Sequence, residues 1–174
     1  GQRPAGQHRR FLFAGLQAFV PPDVAVKHAR EYTDKALAID STVVAAHATL
    51  GAISMLHDWD LKAAEKGFYR SVQLNPNTAW DRYFWSHFLR TVGRFDEAIN
   101  EAVIALEKDP FNIYINTEAG RTFLLAGRVE QAIERQQRTI GIYPNGFLAH
   151  LNLGEALEVK GLLNDAIESY KKAE

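Results

Sequence analysis

The stretch GRFDEAINEAVIALEKDPFN (residues 93–112) decides the fold, because its pattern recurs 34 residues later as GRVEQAIERQQRTIGIYPNG (residues 127–146). Both stretches begin with glycine, place an alanine five residues later and reach a proline after seventeen residues. The same interval of 34 separates Ala64 from Ala98 and Pro76 from Pro110, so the period continues outside the two copies. A fixed period of this length indicates a stack of repeated helical or helix–strand units.

Each repeated position has a physical reason in a helical hairpin. Glycine closes a helix by accepting positive φ, so we expect Gly93 to take the left-handed conformation. Proline forces the residue before it out of the helical region, so the second helix of each unit must end there. A small side chain lets two helices approach closely, so we expect Ala98 to be buried against the preceding helix. The unit is therefore a helix, a short turn, a second helix and a proline turn.

Residue pairs in the predicted first helices strengthen this interpretation. They are Leu50-Gly51, Ala119-Gly120 and Leu153-Gly154, and the second helices add Ala64, Phe68 and Pro76. With these positions the chain resembles the tetratricopeptide repeat family. The resemblance implies an all-α, right-handed α-solenoid of about five antiparallel helix pairs. The repeats would form one domain over residues 10–174, at 10–43, 44–78, 79–112, 113–146 and 147–174, with residues 1–9 as a linker.

The stretch HDWD, residues 57–60, can be interpreted as a metal site or as a turn. Two carboxylates and an imidazole within four residues suit a metal, but a site needs further ligands that converge on it. The position of HDWD between two predicted helices favours the turn. We therefore expect Asp60 to cap the following helix and Trp59 to cover the turn.

Composition narrows the classes of function. The chain has 174 residues, of which 20 are basic and 21 acidic, and it has no cysteine. This balance gives no field that would attract nucleic acid or anionic lipid, and no apolar run approaches the ~20 residues of a membrane helix. No metalloprotease, phosphate-loop or nucleophile-elbow motif is present, and the six histidines are scattered. We expect a soluble, cytoplasmic, non-catalytic protein that uses no metal or cofactor and binds neither nucleic acid nor membrane.

The resemblance implies a concave groove lined by the first helices. Trp85, Leu89 and Val92 follow each other at core spacing in the third repeat, so other aromatic side chains of that helix must face elsewhere. The residues predicted to bind a ligand are aromatic, cationic or polar: Trp80, Tyr83, His87, Arg90, Tyr114, Thr117 and Arg121. Aromatic and arginine side chains dominate binding energy at interfaces. In the alternative interpretation the rings pack on neighbouring helices and the arginines pair with Glu118 or Glu155.

The predicted function is that of a protein-interaction scaffold, and its partner is a peptide or protein that is acidic or carries a free carboxylate. A weaker resemblance is to repeat arrays attached to bacterial winged-helix regulators, nucleotide cyclases and Ser/Thr kinases. It implies a C-terminal module that senses a ligand or dimerises for a regulatory domain outside this sequence. The last helix carries an apolar stripe of Ala166, Ile167, Tyr170 and Ala173, which predicts weak self-association through that helix.

Overall fold

The computed structural model describes residues 21–173, and these residues form nine α-helices and no strand. The helices are α1 (Pro22–Ile39), α2 (Val44–Leu56), α3 (Leu61–Leu74), α4 (Ala79–Thr91), α5 (Phe95–Lys108), α6 (Ile113–Leu125), α7 (Val129–Ile142), α8 (Phe147–Val159) and α9 (Leu163–Lys171). The linker predicted over residues 1–9 and the start of the first repeat lie outside the described residues. The predicted all-α fold class is confirmed.

Contacts divide the chain after Asn77 into two compact units. In the first unit, α2 packs against both α1 and α3. In the second unit, three hairpins form from α4 and α5, from α6 and α7, and from α8 and α9. The first helices of these hairpins, α4, α6 and α8, also pack against each other in chain order. Helix α6 therefore lies between two first helices, which is the arrangement that creates a continuous first-helix surface.

The turns between paired helices have the backbone that the glycine spacing predicts. Gly93, Gly127 and Gly161 have φ values of 80°, 76° and 83°. Beyond α4, the N–H of Gly93 donates to the Arg90 carbonyl and the N–H of Arg94 donates to the Leu89 carbonyl. These bonds satisfy carbonyls that have no partner within the helix. The prediction of a left-handed Gly93 is confirmed.

The alanine positions are the closest points between paired helices. Ala64, Ala98, Ala132 and Ala166 are all 2% exposed or less. The predicted burial of Ala98 is therefore confirmed. Glycines of the first helices have a related role, because a Cβ atom at Gly51 would lie 2.9 Å from the Phe68 ring. Small residues on one helix thus seat larger side chains of its partner.

The HDWD stretch is a turn, as predicted. Helix α2 ends at Leu56 and α3 begins at Leu61, and the Asp60 carboxylate accepts a hydrogen bond from the Ala63 N–H at 2.9 Å. Asp60 therefore caps α3. The expectation that Trp59 covers the turn is wrong, because its side chain is 80% exposed.

The position of Trp59 in the repeat period explains its exposure. Trp59 precedes Gly93 by 34 residues, so it occupies the turn position that glycine holds in the later repeats, and its φ is 57°. A Cβ atom added at Gly93, Gly127 or Gly161 would have no atom within 4 Å. A side chain at this position therefore projects into solvent, whatever its chemistry.

The apolar stripe predicted on α9 is largely covered. Ala166 and Ala173 are 2% and 8% exposed, and Tyr170 is partly buried next to Gly154, whereas Ile167 is 51% exposed. The expectation of a continuous exposed stripe is wrong, because most of it packs against α8. Within residues 21–173, no helix combines the length and hydrophobicity needed to cross a membrane. The cytoplasmic location stays a prediction.

Candidate functional site

The structure brings several of the predicted binding residues together on α4 and α6. The Trp80 and Tyr83 rings meet edge to face with centroids 5.6 Å apart, and the Trp80 ring lies 6.3 Å from that of Tyr114. Phe84 joins them, with its centroid 4.9 Å from that of Tyr83. We call Trp80, Tyr83, Phe84 and Tyr114 the aromatic cluster. Sequence reasoning did not assign Phe84, although three consecutive aromatic residues require at least one of them to leave the core side.

Trp85 is the aromatic residue of this run that faces the core. It is 6% exposed and stacks on Phe88 with ring centroids 5.4 Å apart, and Leu89 is fully buried. Tyr83, Phe84 and Tyr114 therefore remain on the other side of the hairpin, where Tyr114 is 51% exposed. The cluster is thus accessible to a ligand at its Tyr114 end.

A depression of about 380 Å³ follows the aromatic cluster between α4 and α6 and opens to solvent. Tyr83, His87, Arg90 and Thr91 line it from α4, and Glu118, Arg121 and Leu125 line it from α6. We call this depression together with the aromatic cluster the α4–α6 face. A volume of this size suits part of a peptide or a small ligand.

Arg90 lies in the wall of this depression and is only 8% exposed. Its guanidinium donates to the Glu118 carboxylate at 2.9 Å and to the Thr122 hydroxyl at 3.2 Å. The prediction of an accessible Arg90 is wrong, whereas the alternative pairing with Glu118 is confirmed. Arg90 therefore joins α4 to α6 and is not a free cation for a ligand.

A small residue on α5 helps to explain why Arg90 is buried. Ala102 stands in register with Phe68 and Tyr170, whose rings pack on first-helix glycines in their own repeats. Alanine leaves that space unfilled, and Ala102 and Arg90 line the same small cavity. The guanidinium thus lies where the second helix supplies no ring.

Thr117 is also buried, with no exposed surface. Its hydroxyl donates to the Ile113 carbonyl at 2.8 Å, and its own carbonyl accepts a bond from the Gln136 amide at 2.8 Å. Thr117 therefore cannot contact a ligand directly, and its predicted place on α6 is taken by Glu118. The helical rotation that turns Thr117 inward brings Tyr114, Glu118 and Arg121 into one line.

Arg121 is the accessible cation of the α4–α6 face. It is exposed, and it forms no ion pair with any residue in the described part of the chain. Because Arg90 and Glu118 neutralise each other, Arg121 is the uncompensated charge among the residues that line the depression. A guanidinium in this state can bind a carboxylate through two parallel hydrogen bonds.

Two further groups of the depression are neutral at pH 7. Burial, reinforced by the Arg90 charge, lowers the pKa of His87 to about 4. Burial, reinforced by the Glu118 charge, raises the pKa of Tyr83 to about 12. The centre of the depression therefore offers uncharged hydrogen-bonding groups, and positive charge is confined to its Arg121 end.

The residues of the HDWD turn are held in ion pairs. The Arg30 guanidinium donates to both oxygens of Asp58, at 2.8 and 2.9 Å, and the His57 ring lies 3.1 Å from the same carboxylate. Within residues 21–173, no three histidine or acidic side chains are placed to hold one metal ion. The turn is explained by its role in joining α1 to the α2–α3 hairpin.

Comparison with known proteins identifies the repeat. Residues 89–147 match the family model described as tetratricopeptide repeat. No curated protein sequence gives a significant match to the chain. The chain contains tetratricopeptide repeats, and it is a tetratricopeptide-repeat protein with the helical solenoid fold of that class.

Solved structures support the same assignment. A crystal structure of MamA is 24% identical, covers 87% of this chain and 88% of its own, and has a TM-score of 0.71. The PilF protein of Pseudomonas aeruginosa is 18% identical, with coverages of 98% and 75% and a TM-score of 0.78. YrrB, described as a TPR protein with an unusual peptide-binding site, is 20% identical, with coverages of 92% and 81% and a TM-score of 0.68. At these identities the similarity establishes the fold alone.

Proposed function

We propose that this protein is a non-catalytic interaction scaffold whose α4–α6 face binds a segment of a partner protein. The observation that carries the proposal is the exposed Tyr114 edge of an aromatic cluster beside an unpaired Arg121. Large rigid aromatic side chains and arginine supply most of the binding energy at protein interfaces. Their position along an open depression supports an elongated ligand.

The partner segment should carry a carboxylate, either from an acidic side chain or from a chain terminus. Arg121 gives the depression its positive charge, while Arg90 is already neutralised by Glu118. A ligand carboxylate bound by Arg121 would form charge-assisted hydrogen bonds worth about 1.5–3 kcal/mol. The acidic partner predicted from the sequence is thus retained, with Arg121 as its single anchor.

The alternative is a regulatory module that senses a small ligand for an attached domain. A small molecule is usually enclosed over most of its surface. The depression is open to solvent along its length, and the peptide YrrB is described as binding belongs to a protein of this fold. These features favour the peptide over the small ligand.

The experiment is a capture of partners from lysate of the source cell with the immobilised protein. Wild type is compared with Arg121→Ala and Tyr114→Ala, and with the matched controls Arg128→Ala and Phe111→Ala. Both control residues are exposed and lie outside the α4–α6 face. We expect the first two variants to lose a partner that both controls retain. Equal capture by all five proteins would contradict the proposal.

A further inference from the structure

One line of side chains runs along α6 on the α4–α6 face. Tyr114, Glu118, Arg121 and Leu125 are spaced at four, three and four residues, which keeps them on one side of a helix. Tyr114 belongs to the aromatic cluster, Glu118 pairs with Arg90, and Leu125 is 52% exposed. The line therefore presents an apolar position, a neutralised acid, a free cation and a second apolar position, in that order.

The spacing within this line sets the geometry of a ligand. Tyr114 and Arg121 are seven residues apart, which corresponds to about 10.5 Å along a helix that rises 1.5 Å per residue. A polyproline II segment has three residues per turn and rises ~3.1 Å per residue. Its side chains at positions one and four point the same way and lie ~9.3 Å apart. This separation agrees with the distance from Tyr114 to Arg121 to within about 1 Å.

Other extended conformations agree less well. In a β-strand, side chains on one face are two or four residues apart, which corresponds to about 6.7 or 13.3 Å. A helical ligand would place its two side chains seven residues apart. However, two turns of helix fill a cylinder of roughly 1,000 Å³, and the depression holds about 380 Å³. Polyproline II is therefore the conformation that fits both the length and the volume.

We propose that the ligand of the α4–α6 face is a proline-rich segment in the polyproline II conformation, with an apolar residue and an acidic residue three positions apart. This inference rests on the proposed function and adds the chemistry of the partner. The apolar residue lies against Trp80 and Tyr114, and the acidic residue binds Arg121. Aromatic-lined grooves are a recurrent surface for such segments, because the segment is already ordered before it binds.

Neighbours of Arg121 oppose other spacings. An acidic residue closer to the apolar anchor would lie over the Glu118 carboxylate, and like charges repel. An acidic residue farther away would lie over Leu125, where its charge would lose water without gaining a partner. The order of groups on α6 thus selects one spacing in the ligand.

The test uses synthetic oligoproline peptides that carry one leucine and one glutamate. The two residues are separated by two, three or four positions, in both chain orders, and all peptides share one composition. The same pairs in a flexible Gly-Ser host, and a helical Ala-rich peptide with a separation of seven, are the comparison probes. Binding is followed by NMR from the Trp80 indole and the Arg121 guanidinium of the full chain.

We expect the oligoproline peptide with a separation of three to bind about tenfold more tightly than those with two or four, the size of effect for one charged hydrogen bond. Arg121→Ala should remove this preference, whereas Arg128→Ala should keep it. Binding that is equal at every separation, or strongest for the helical peptide, would overturn the inference and leave the peptide-binding function standing. If no peptide binds in any host while lysate capture succeeds, the inference also fails; if capture fails as well, the proposed function fails.

Discussion

At the scale of single residues, the pair of Arg90 and Glu118 supports the fold, whereas Arg121 is free to bind. The Arg90 side chain is 7% exposed and the Glu118 side chain 18%, so removing one partner leaves the other charge poorly solvated. We expect Arg90→Ala to lower the free energy of unfolding by about 2–3 kcal/mol. Arg121→Ala, at an exposed position four turns of logic removed from the core, should change it by less than about 0.5 kcal/mol. Urea denaturation measures both.

A double variant separates charge from packing at this pair. Arg90→Met with Glu118→Gln removes both charges and keeps side chains of similar length. We expect it to recover most of the stability that Arg90→Ala loses, because no unpaired charge remains. If Arg90→Ala is as stable as wild type, the pair does not hold α4 against α6.

His87 gives the protein a dependence on pH. Its pKa is about 4 in the folded chain, against 6.5 for a free histidine, because burial and the Arg90 charge disfavour the protonated ring. Between these two values the unfolded chain binds more protons, so stability decreases as pH falls from about 6.5 to about 4 and then levels off. We expect His87→Gln to flatten this slope, which amounts to about 1–3 kcal/mol. The control is His28→Gln, at an exposed histidine, and an unchanged slope in His87→Gln would contradict the assignment.

At the scale of helices and turns, the repeat period can be tested at one backbone position. Gly93 has φ of 80° and no neighbouring atom that a methyl group would meet, so Gly93→Ala isolates the backbone cost. We expect a loss of about 1–2 kcal/mol in the free energy of unfolding. Trp59 holds the same turn position at φ 57°, so Trp59→Gly should give a gain of up to about 1 kcal/mol. Thermal or urea unfolding of the two variants should therefore show opposite signs, and a shared sign would contradict the common role.

The turns and helix ends could be predicted from the sequence because glycine and proline act on their own backbone. Helices α3, α5 and α7 end two residues before Pro76, Pro110 and Pro144, as the local sterics require. The same period placed Trp59 in the glycine position, and counting 34 residues back from Gly93 would have predicted its exposure. Local rules thus reach the elements and their ends.

The burial of Arg90 could not be predicted in this way. It depends on a missing ring at Ala102 on α5 and on an acidic partner at Glu118 on α6. Spacing along α4 gives the direction of a side chain but not the space that two other helices leave for it. The aromatic cluster was easier to anticipate, because four large rings within two neighbouring first helices cannot all enter the core.

At the scale of the whole molecule, the predicted self-association now rests on a few side chains. Ile167 and Leu163 on α9 are 51% and 59% exposed, whereas Ala166 and Ala173 are buried. Two exposed side chains bury little apolar area, at about 25 cal/mol per Å², so any association should be weak. We expect light scattering after size exclusion to show a mass that rises with concentration in wild type and not in Ile167→Lys. A single mass over the whole range for both proteins would contradict self-association.

The three tryptophans report on different parts of the protein in fluorescence. Trp59 is 80% exposed, Trp80 belongs to the aromatic cluster, and Trp85 is 6% exposed. Light emitted by Trp59 is therefore red-shifted and open to quenching by iodide, and it overlaps any change at Trp80. Trp59→Phe removes this background, so the protein becomes its own optical sensor: Trp80 responds to a ligand on the α4–α6 face and Trp85 to unfolding of the second unit.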